Sequence, residues 1–371
     1  MEFTTDKDDF LQGLTKVQGI TGRKTNIPIT SNVLISARET NVSILATDLE
    51  IAFQGTYEAE VFSQGATAVP SRKLYEIVRD FPSDVVHLKE LENKWIQIVD
   101  KKIEYNIVGM ETEEFPGLPD VEGVDLFETD ASIIKNMIEK TIYAVLADEG
   151  RAHLAGVFLE TIVEGDAKKL RMVSTDGHRL SRVDQPMEKG HGFELEHGVI
   201  IPKSGIVEVL RLLEGGEKVQ IGFKDKNIIV KKDAEMLIIR LIEGEFPDYN
   251  LVIPKENQGE LKVQKEAFLM MLKRMSILSS DKYRSVRFNI DKEQIETITT
   301  NPEIGESREV LPVVYDGQRV DIAFNARYFI EAISTMKSNE LTIRLNDEAT
   351  PCILEGDNDP GFLSVVMPMR I

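Results

Sequence analysis

Asp176 and His178 stand two residues apart in the stretch Thr175-Asp176-Gly177-His178-Arg179-Leu180, and a carboxylate beside an imidazole can hold and pass a proton. The sequence places no nucleophile and no third orienting group with them, so the pair lacks the rest of a catalytic set. Gly19-Ile20-Thr21-Gly22-Arg23-Lys24-Thr25 has the composition of a phosphate-cradling loop but not the G-x-x-x-x-G-K-[ST] spacing, which argues against an ATPase. The histidines, His87, His153, His178, His191 and His197, show no metal-ligand spacing. The one cysteine, Cys352, rules out an intrachain disulfide and a cysteine-based zinc site. No metal, cofactor or catalytic residue is expected.

The acid of that pair recurs elsewhere. Thr47-Asp48-Leu49-Glu50 lies 128 residues before Thr175, and Thr300-Asn301-Pro302-Glu303 lies 125 residues after it. An Asp or Asn at such a turn bonds to nearby backbone N–H groups, which makes Asp176 structural. Gly177-His178-Arg179-Leu180 occurs in the middle copy alone and is the better candidate for a site. Two further landmarks keep the same order in each copy. Val69-Pro70-Ser71-Arg72-Lys73, Ile201-Pro202-Lys203-Ser204 and Phe324-Asn325-Ala326-Arg327 follow their turns by 22, 26 and 24 residues. Phe115-Pro116, Phe246-Pro247 and Met367-Pro368 close the copies, their prolines 47, 46 and 44 residues further on. One fold is used three times. A repeat of about 125 residues is too long for a solenoid unit, so each copy is expected to be a globular domain. The expected domains are 1–123, 124–256 and 257–371, with polar, Gly- or Pro-containing linkers near 117–126 and 254–260.

Each copy opens with an amphipathic helix: Phe10, Leu14 and Val17; then Ile134, Met137, Ile138, Thr141 and Val145; then Phe268, Met271, Leu272 and Met275. The third helix also carries Leu269, Met270, Ile277 and Leu278, which leaves two readings, a deeper seat in its own core or a contact with another chain. A second helix starts its apolar stripe five residues after each middle landmark. Its residues are Leu74, Ile77, Val78 and Phe81; Ile206, Val209, Leu210 and Leu213; and Phe329, Ala332, Ile333 and Met336. Alternating strands lie between and after the helices. The fold class is α+β, two helices on strand-rich sheet in each of three copies.

The chain carries 44 basic and 63 acidic side chains, a formal charge of −19, which by itself argues against free phosphate binding. The N-terminus has no apolar run of the signal-peptide kind and no stretch is long enough to cross a bilayer. Those features and the single cysteine imply a cytoplasmic protein with no membrane partner.

Taken together, Val69-Pro70-Ser71-Arg72-Lys73, Thr175-Asp176-Gly177-His178-Arg179-Leu180, Glu245-Phe246-Pro247-Asp248-Tyr249 and Val366-Met367-Pro368-Met369-Arg370-Ile371 resemble the bacterial sliding clamp family, the beta subunit of DNA polymerase III. The resemblance spans all three copies. It implies a non-catalytic processivity factor: a head-to-tail homodimer of six clamp-type domains closed into a ring around double-stranded DNA without sequence specificity. Its partners would be the replicative polymerase, a clamp loader, and other polymerases and repair proteins that bind through short peptide motifs. A protein-binding acidic scaffold that never encircles DNA is the alternative.

The resemblance also assigns residues. Lys24, Arg72 and Lys73 occupy positions like the family's DNA contacts, and Arg79, Arg151, Lys203 and Arg211 join them as a lining, with Lys135, Lys273 and Arg284 as further basic candidates. The peptide pocket would comprise Leu154, Thr175, Gly177, His178, Arg179, Leu180, Pro247, Val252, Tyr328, Val365, Met367, Pro368, Met369 and Arg370. Ile277 and Leu278, surplus to the apolar stripe of their own helix, are the candidates for the dimer interface that a head-to-tail ring requires. The chain departs from family patterns at Leu251, Ala349 and Pro351 along the pocket rim, and at Ala152 and His153, where aromatic residues are common.

Overall fold

The structure, a computed structural model, describes residues 1–23, 27–100, 103–146, 150–187, 195, 197–279 and 285–369. The first copy runs β1 (Glu2–Asp6), α1 (Lys7–Thr21), β2 (Asn32–Arg38), β3 (Asn41–Thr47), β4 (Ile51–Ser63), β5 (Gly65–Pro70), α2 (Ser71–Arg79), β6 (Val85–Glu90), β7 (Trp95–Asp100) and β8 (Ile103–Val108). The second repeats that order with β9 (Phe127–Asp130), α3 (Ala131–Glu139), β10 (Gly156–Glu164), β11 (Ala167–Thr175), β12 (Arg179–Pro186), β13 (Val199–Pro202), α4 (Lys203–Leu212), β14 (Lys218–Lys224), β15 (Asn227–Lys232) and β16 (Glu235–Arg240). The third has β17 (Gly259–Gln264), α5 (Lys265–Leu278), β18 (Ser285–Ile290), β19 (Gln294–Asn301), β20 (Gly305–Pro312), a short β21 (Val314–Tyr315), β22 (Val320–Asn325), α6 (Ala326–Thr335), β23 (Glu340–Leu345), β24 (Cys352–Gly356) and β25 (Phe362–Val366).

Antiparallel pairing organises these elements into two compact units, Met1–Ser132 with Ser204–Leu241, and Ile133–Lys203 with Ile242–Ile371. In the first unit β4 of the first copy pairs with β16 of the second, Ile51 opposite Ile239, and one sheet runs β8-β7-β6-β1-β4-β16-β15-β14-β9. In the second unit β12 pairs with β25, Arg179 opposite Val366 and Leu180 opposite Val365. That sheet runs β13-β10-β11-β12-β25-β24-β23-β17-β21, and a four-stranded sheet ends on β20. Each unit is therefore joined by strand pairing across a border between copies.

The helices bury the stripes that their spacing sets. Phe10, Leu14, Val17 and Ile20 of α1 are fully buried, and the Asp6 carboxylate caps that helix by accepting from the Asp8 and Asp9 N–H groups. In the second unit Phe268 of α5 meets Phe288 and Phe329, and Phe324 packs edge-on against both of those rings. Each such side chain removed from water contributes roughly 1.5–3 kcal/mol.

Three features depart from the periodic reading. The middle copy's first helix ends at Glu139, before Thr141 and Val145. The Thr141 hydroxyl donates to the Met137 carbonyl, while the Thr141 N–H takes the Ile138 carbonyl in the tighter i−3 bond. In α4, Leu212 is fully buried and Leu210 only half-buried. On α5, Leu269 joins the core, whereas Met270 is 40% and Ile277 75% exposed, and Leu278 is half-buried. The broad apolar stripe of α5 thus serves its own core with one side and leaves two side chains in solvent.

Candidate functional site

The three related turns share one chemistry. The Asp48 carboxylate accepts from the Glu50 N–H at 3.0 Å and the Ile51 N–H at 2.7 Å. Asp176 accepts from the N–H groups of His178 and Arg179 at 3.0 and 3.1 Å, and the Asn301 side chain from the Glu303 N–H at 3.0 Å. The Thr47 and Thr175 hydroxyls accept from Leu49 and Gly177 in turn. The residue after the acid takes a left-handed conformation in the first two copies, φ 79° at Leu49 and 88° at Gly177. Glycine adopts it without the strain that a Cβ brings. Asp176 is a structural acid, and its second oxygen is held by the Arg179 Nε at 3.0 Å. Both oxygens are committed, which leaves the acid/base reading of Asp176 and His178 without a free carboxylate.

Above this turn lies a cavity of about 180 Å³ lined by Leu154, Thr175, Gly177, Arg179, Leu180, Pro247, Asp248, Tyr249, Val252, Val365 and Met367. Its floor is a buried cluster of Leu154, Val173, Leu180, Ile200, Phe246, Tyr249, Ile353, Leu363 and Val365. Leu180 and Val365 are side by side because β12 and β25 pair there. Phe246 of the Phe-Pro landmark stacks on Phe158 at 4.7 Å, and the chain then turns through a short 3-10 helix, Tyr249–Val252, that brings Tyr249 and Val252 to the wall. The Asp248 carboxylate caps this turn through the Asn250 N–H. Leu251 projects from it, 82% exposed. Tyr249 is tied from below, its hydroxyl accepting from Arg171 at 2.9 Å and donating to Glu160. Burial and that carboxylate push its phenol above the usual tyrosine range, so it stays neutral.

The predicted pocket residues do not form one continuous wall. Nine line the apolar cavity, from Leu154 to Met367. His178 and Tyr328 face a polar hollow of about 600 Å³, together with Arg151, Asp176, Lys203, Asn325, Arg327 and Glu331. Pro368 and Met369 line a third hollow of about 740 Å³ with Arg287, Asp321 and Glu348. The split follows from the chain's tail, which crosses the surface as an anchored strap. The Met367 N–H donates to the His178 carbonyl at 2.9 Å, and the Met369 N–H to the Ala323 carbonyl at 2.7 Å. Arg179 borders the first two hollows and Met367 the first and third. Arg370 lies outside the described residues. Asp248 and Tyr249 were not among the predicted lining, although they continue the Phe246-Pro247 landmark directly.

Arg179 is held on every side. Besides Asp176, it donates to the Glu331 carboxylate and, at 2.5 Å, to the Tyr143 carbonyl. Its guanidinium lies 4.6 Å from the Tyr328 ring centre and 5.3 Å from that of Tyr143. Burial would raise the Glu331 carboxyl, but bonds from Arg327 and Arg179 outweigh it and hold the group below the ordinary carboxylate range.

Several of the basic candidates stand on exposed helix faces. In the first unit Arg72, Lys73 and Arg79 stand on α2, where Arg72 and Lys73 pair with Glu76 and Arg79 pairs with Asp80. Arg211 stands on α4 and pairs with Glu208. In the second unit Arg151 and Lys203 border the polar hollow. Lys135 and Lys273 are exposed. Lys24, Arg284 and His191 lie outside the described residues. Among the described residues no cluster of three or more His, Cys, Asp or Glu side chains is arranged to hold a metal ion.

Comparison with known proteins gives a consistent picture. Family models of the DNA polymerase III beta subunit match the chain three times: the N-terminal domain over residues 1–119, the central domain over 128–248 and the C-terminal domain over 250–370. A beta sliding clamp of Caulobacter vibrioides is 32% identical and one of Escherichia coli K12 30% identical, each covering 100% of both chains. Among solved structures, that of Caulobacter crescentus pol III beta superposes with a TM-score of 0.93 at 32% identity, over 100% of both chains. A Bartonella birtlesii sliding clamp bound to griselimycin superposes with a TM-score of 0.95 at 31% identity, again over 100% of both.

Proposed function

Because this chain belongs to the DNA polymerase III beta subunit family and is a DNA sliding clamp, a processivity factor rather than a catalyst, we propose that two copies close head-to-tail into a six-domain ring around duplex DNA. The observation that carries the ring is a pattern of strand pairing. The strand after the turn in one copy pairs with the last strand of the next copy, as β4 with β16 and β12 with β25. The pattern leaves one strand of each kind without its partner, β20 after the third turn and β8 at the end of the first copy, and both are sheet edges. A contact of β20 with β8 of a second copy repeats the same junction and closes the assembly, since a head-to-tail contact that returns on itself gives a ring. The exposed apolar side chains fit that junction: Ile277 and Ile304 beside one edge, Tyr105 and Val108 on the other.

The ring also accounts for the charge. An acidic exterior repels DNA, and DNA held by enclosure needs no tight phosphate contacts; a lining of Lys24, Arg72, Lys73, Arg79, Arg151, Lys203 and Arg211 would accept the duplex and let it slide. The apolar cavity receives hydrophobic side chains of short peptide segments in the replicative polymerase, the clamp loader and repair proteins, with the adjoining hollows taking the flanking residues. The griselimycin held by the Bartonella relative supports the view that clamps of this fold take compact ligands. The domains meant here are 1–123, 124–256 and 257–371, and the compartment is the cytoplasm.

The test is retention on DNA after loading by a matching clamp loader, with nicked circular plasmid compared with the same plasmid linearised. The ring predicts stable retention on circles and loss from free ends. Equal retention on both would mean electrostatic adhesion, and binding to neither would favour the acidic scaffold.

A further inference from the structure

The bridge around Arg179 has a twin in the first compact unit. There Arg23 donates to the Asp48 carboxylate at 3.1 Å and to the Glu208 carboxylate at 3.4 Å. In the second unit Arg179 joins Asp176 and Glu331. The acids are repeat-equivalent. Asp48 and Asp176 are the turn residues, and Glu208 and Glu331 stand seven residues after the landmark residues Ile201 and Phe324. Each bridge therefore ties the turn of one copy to the second helix of the next. Glu76, seven residues after Val69, is the third member of the set, and it pairs with Arg72 and Lys73 of its own helix.

The cations differ in origin. Arg23 follows the end of α1, and its Nε donates to the Gly19 carbonyl. Arg179 belongs to the turn itself, two residues after Gly177, and is one of the residues that line the apolar cavity. Moving the cation into the turn makes one bridge do two things: it fastens two copies and it fixes a wall of the cavity. A free arginine has rotamer entropy to lose on being ordered. Here that loss occurs during folding, so a bound peptide meets a wall already in place.

We propose that Glu331 and Asp176 are positioning residues of the apolar peptide cavity, which act through Arg179 to hold the Gly177–Leu180 wall and do not themselves line that cavity. This rests on the peptide-binding reading above. Glu208 supplies an internal control, because it makes the equivalent bridge in the other unit and is not part of the cavity lining.

The experiment measures griselimycin affinity of the full-length chain by calorimetry, with thermal unfolding recorded in parallel. Wild type is expected to bind and V252D, altered at an exposed rim residue, to lose binding. E331Q is expected to weaken binding about tenfold, the scale of one charge-assisted bond, and E331D to recover part of it. E208Q is expected to lower thermal stability while leaving affinity unchanged. On an R179A background E331Q adds nothing further if Glu331 acts through Arg179 alone. Binding that depends on Val252 but is within twofold of wild type in E331Q overturns the proposal and leaves the peptide-binding reading intact. So does an E208Q variant that weakens binding as much as E331Q, or an E331Q effect that persists in full without Arg179. Absence of wild-type binding, or binding that V252D leaves untouched, overturns the peptide-binding reading and this proposal with it.

Discussion

Replacing Asp359 by Asn probes a deeply buried ion pair in the second unit. Lys140, just past α3, reaches the Asp359 carboxylate in the turn between β24 and β25 at 2.8 Å, with side-chain exposures of 4% and 0%. The same carboxylate accepts from the Lys337 N–H, the Ser338 N–H and the Ser338 hydroxyl at 2.6–3.0 Å. Lys140 has the Phe362 ring 5.1 Å away as its other favourable neighbour. The two partners are thus unequally supported. Asp359 without Lys140 keeps three donors, whereas Lys140 without Asp359 is a buried cation facing an aromatic ring. Breaking such a pair from one side costs about 3–5 kcal/mol, or roughly two to three and a half decades in the unfolding constant.

D359N should therefore cost more than K140M, and K140M/D359N should recover part of the D359N loss. The effect must be read in the right half of the molecule. Trp95, the only tryptophan, lies on β7 in the first unit, so its fluorescence reports elsewhere. Hydrogen exchange of the β12 and β25 amides, followed by mass spectrometry, measures the opening that matters. A D359N loss below about 1 kcal/mol would show the pair to be screened by solvent and refute the argument. The pH dependence has a defined sign. Burial raises the Asp359 carboxyl, but bonds from Lys140, Ser338 and Lys337 prevail and hold it below its ordinary value. Its contribution is therefore complete above the ordinary carboxylate pKa near ~4 and disappears as pH falls through the lower folded value. The stability gap between wild type and D359N should close in acid.

Asp residues at both 277 and 278 are expected to give folded monomers by analytical ultracentrifugation, because Ile277 is 75% exposed on α5 and contributes nothing to its own core; a persistent dimer refutes the assignment. Deleting 367–371 removes the Met367 wall and the two backbone bonds of the tail strap, and should abolish griselimycin and polymerase binding while the dimer survives; unchanged affinity contradicts the cavity assignment. Cys352 is fully buried and its thiol is pushed well above the usual range, so the native protein should resist a thiol-specific reagent and react only on unfolding. Reaction of the native chain at the free-thiol rate would refute that placement.

The sequence by itself determined the parts that depend on near neighbours. Three-fold repetition, the Asp or Asn turns and the buried stripes of the helices follow from local spacing, because a turn bond spans two or three residues and a helix face recurs every three or four. The apolar members of the cavity were named through the family resemblance that the turn, the Phe-Pro landmark and the tail carry; Leu154 and Val252 lie outside those stretches. Only the tertiary structure decided the partnerships. Arg179 and Glu331 are 152 residues apart, and their contact exists because β12 pairs with β25 and brings the turn to α6. The Glu at a fixed offset in all three copies was visible in the sequence, but nothing local shows that two of them meet an arginine of the preceding copy while the third, among the described residues, pairs only with cations of its own helix. The same applies to Lys140 and Asp359, to Tyr249 as part of the cavity wall, and to Ile277 in solvent while Leu269 is buried on the same helix. Periodicity shows which face of an element is apolar; what covers that face depends on the path of the rest of the chain.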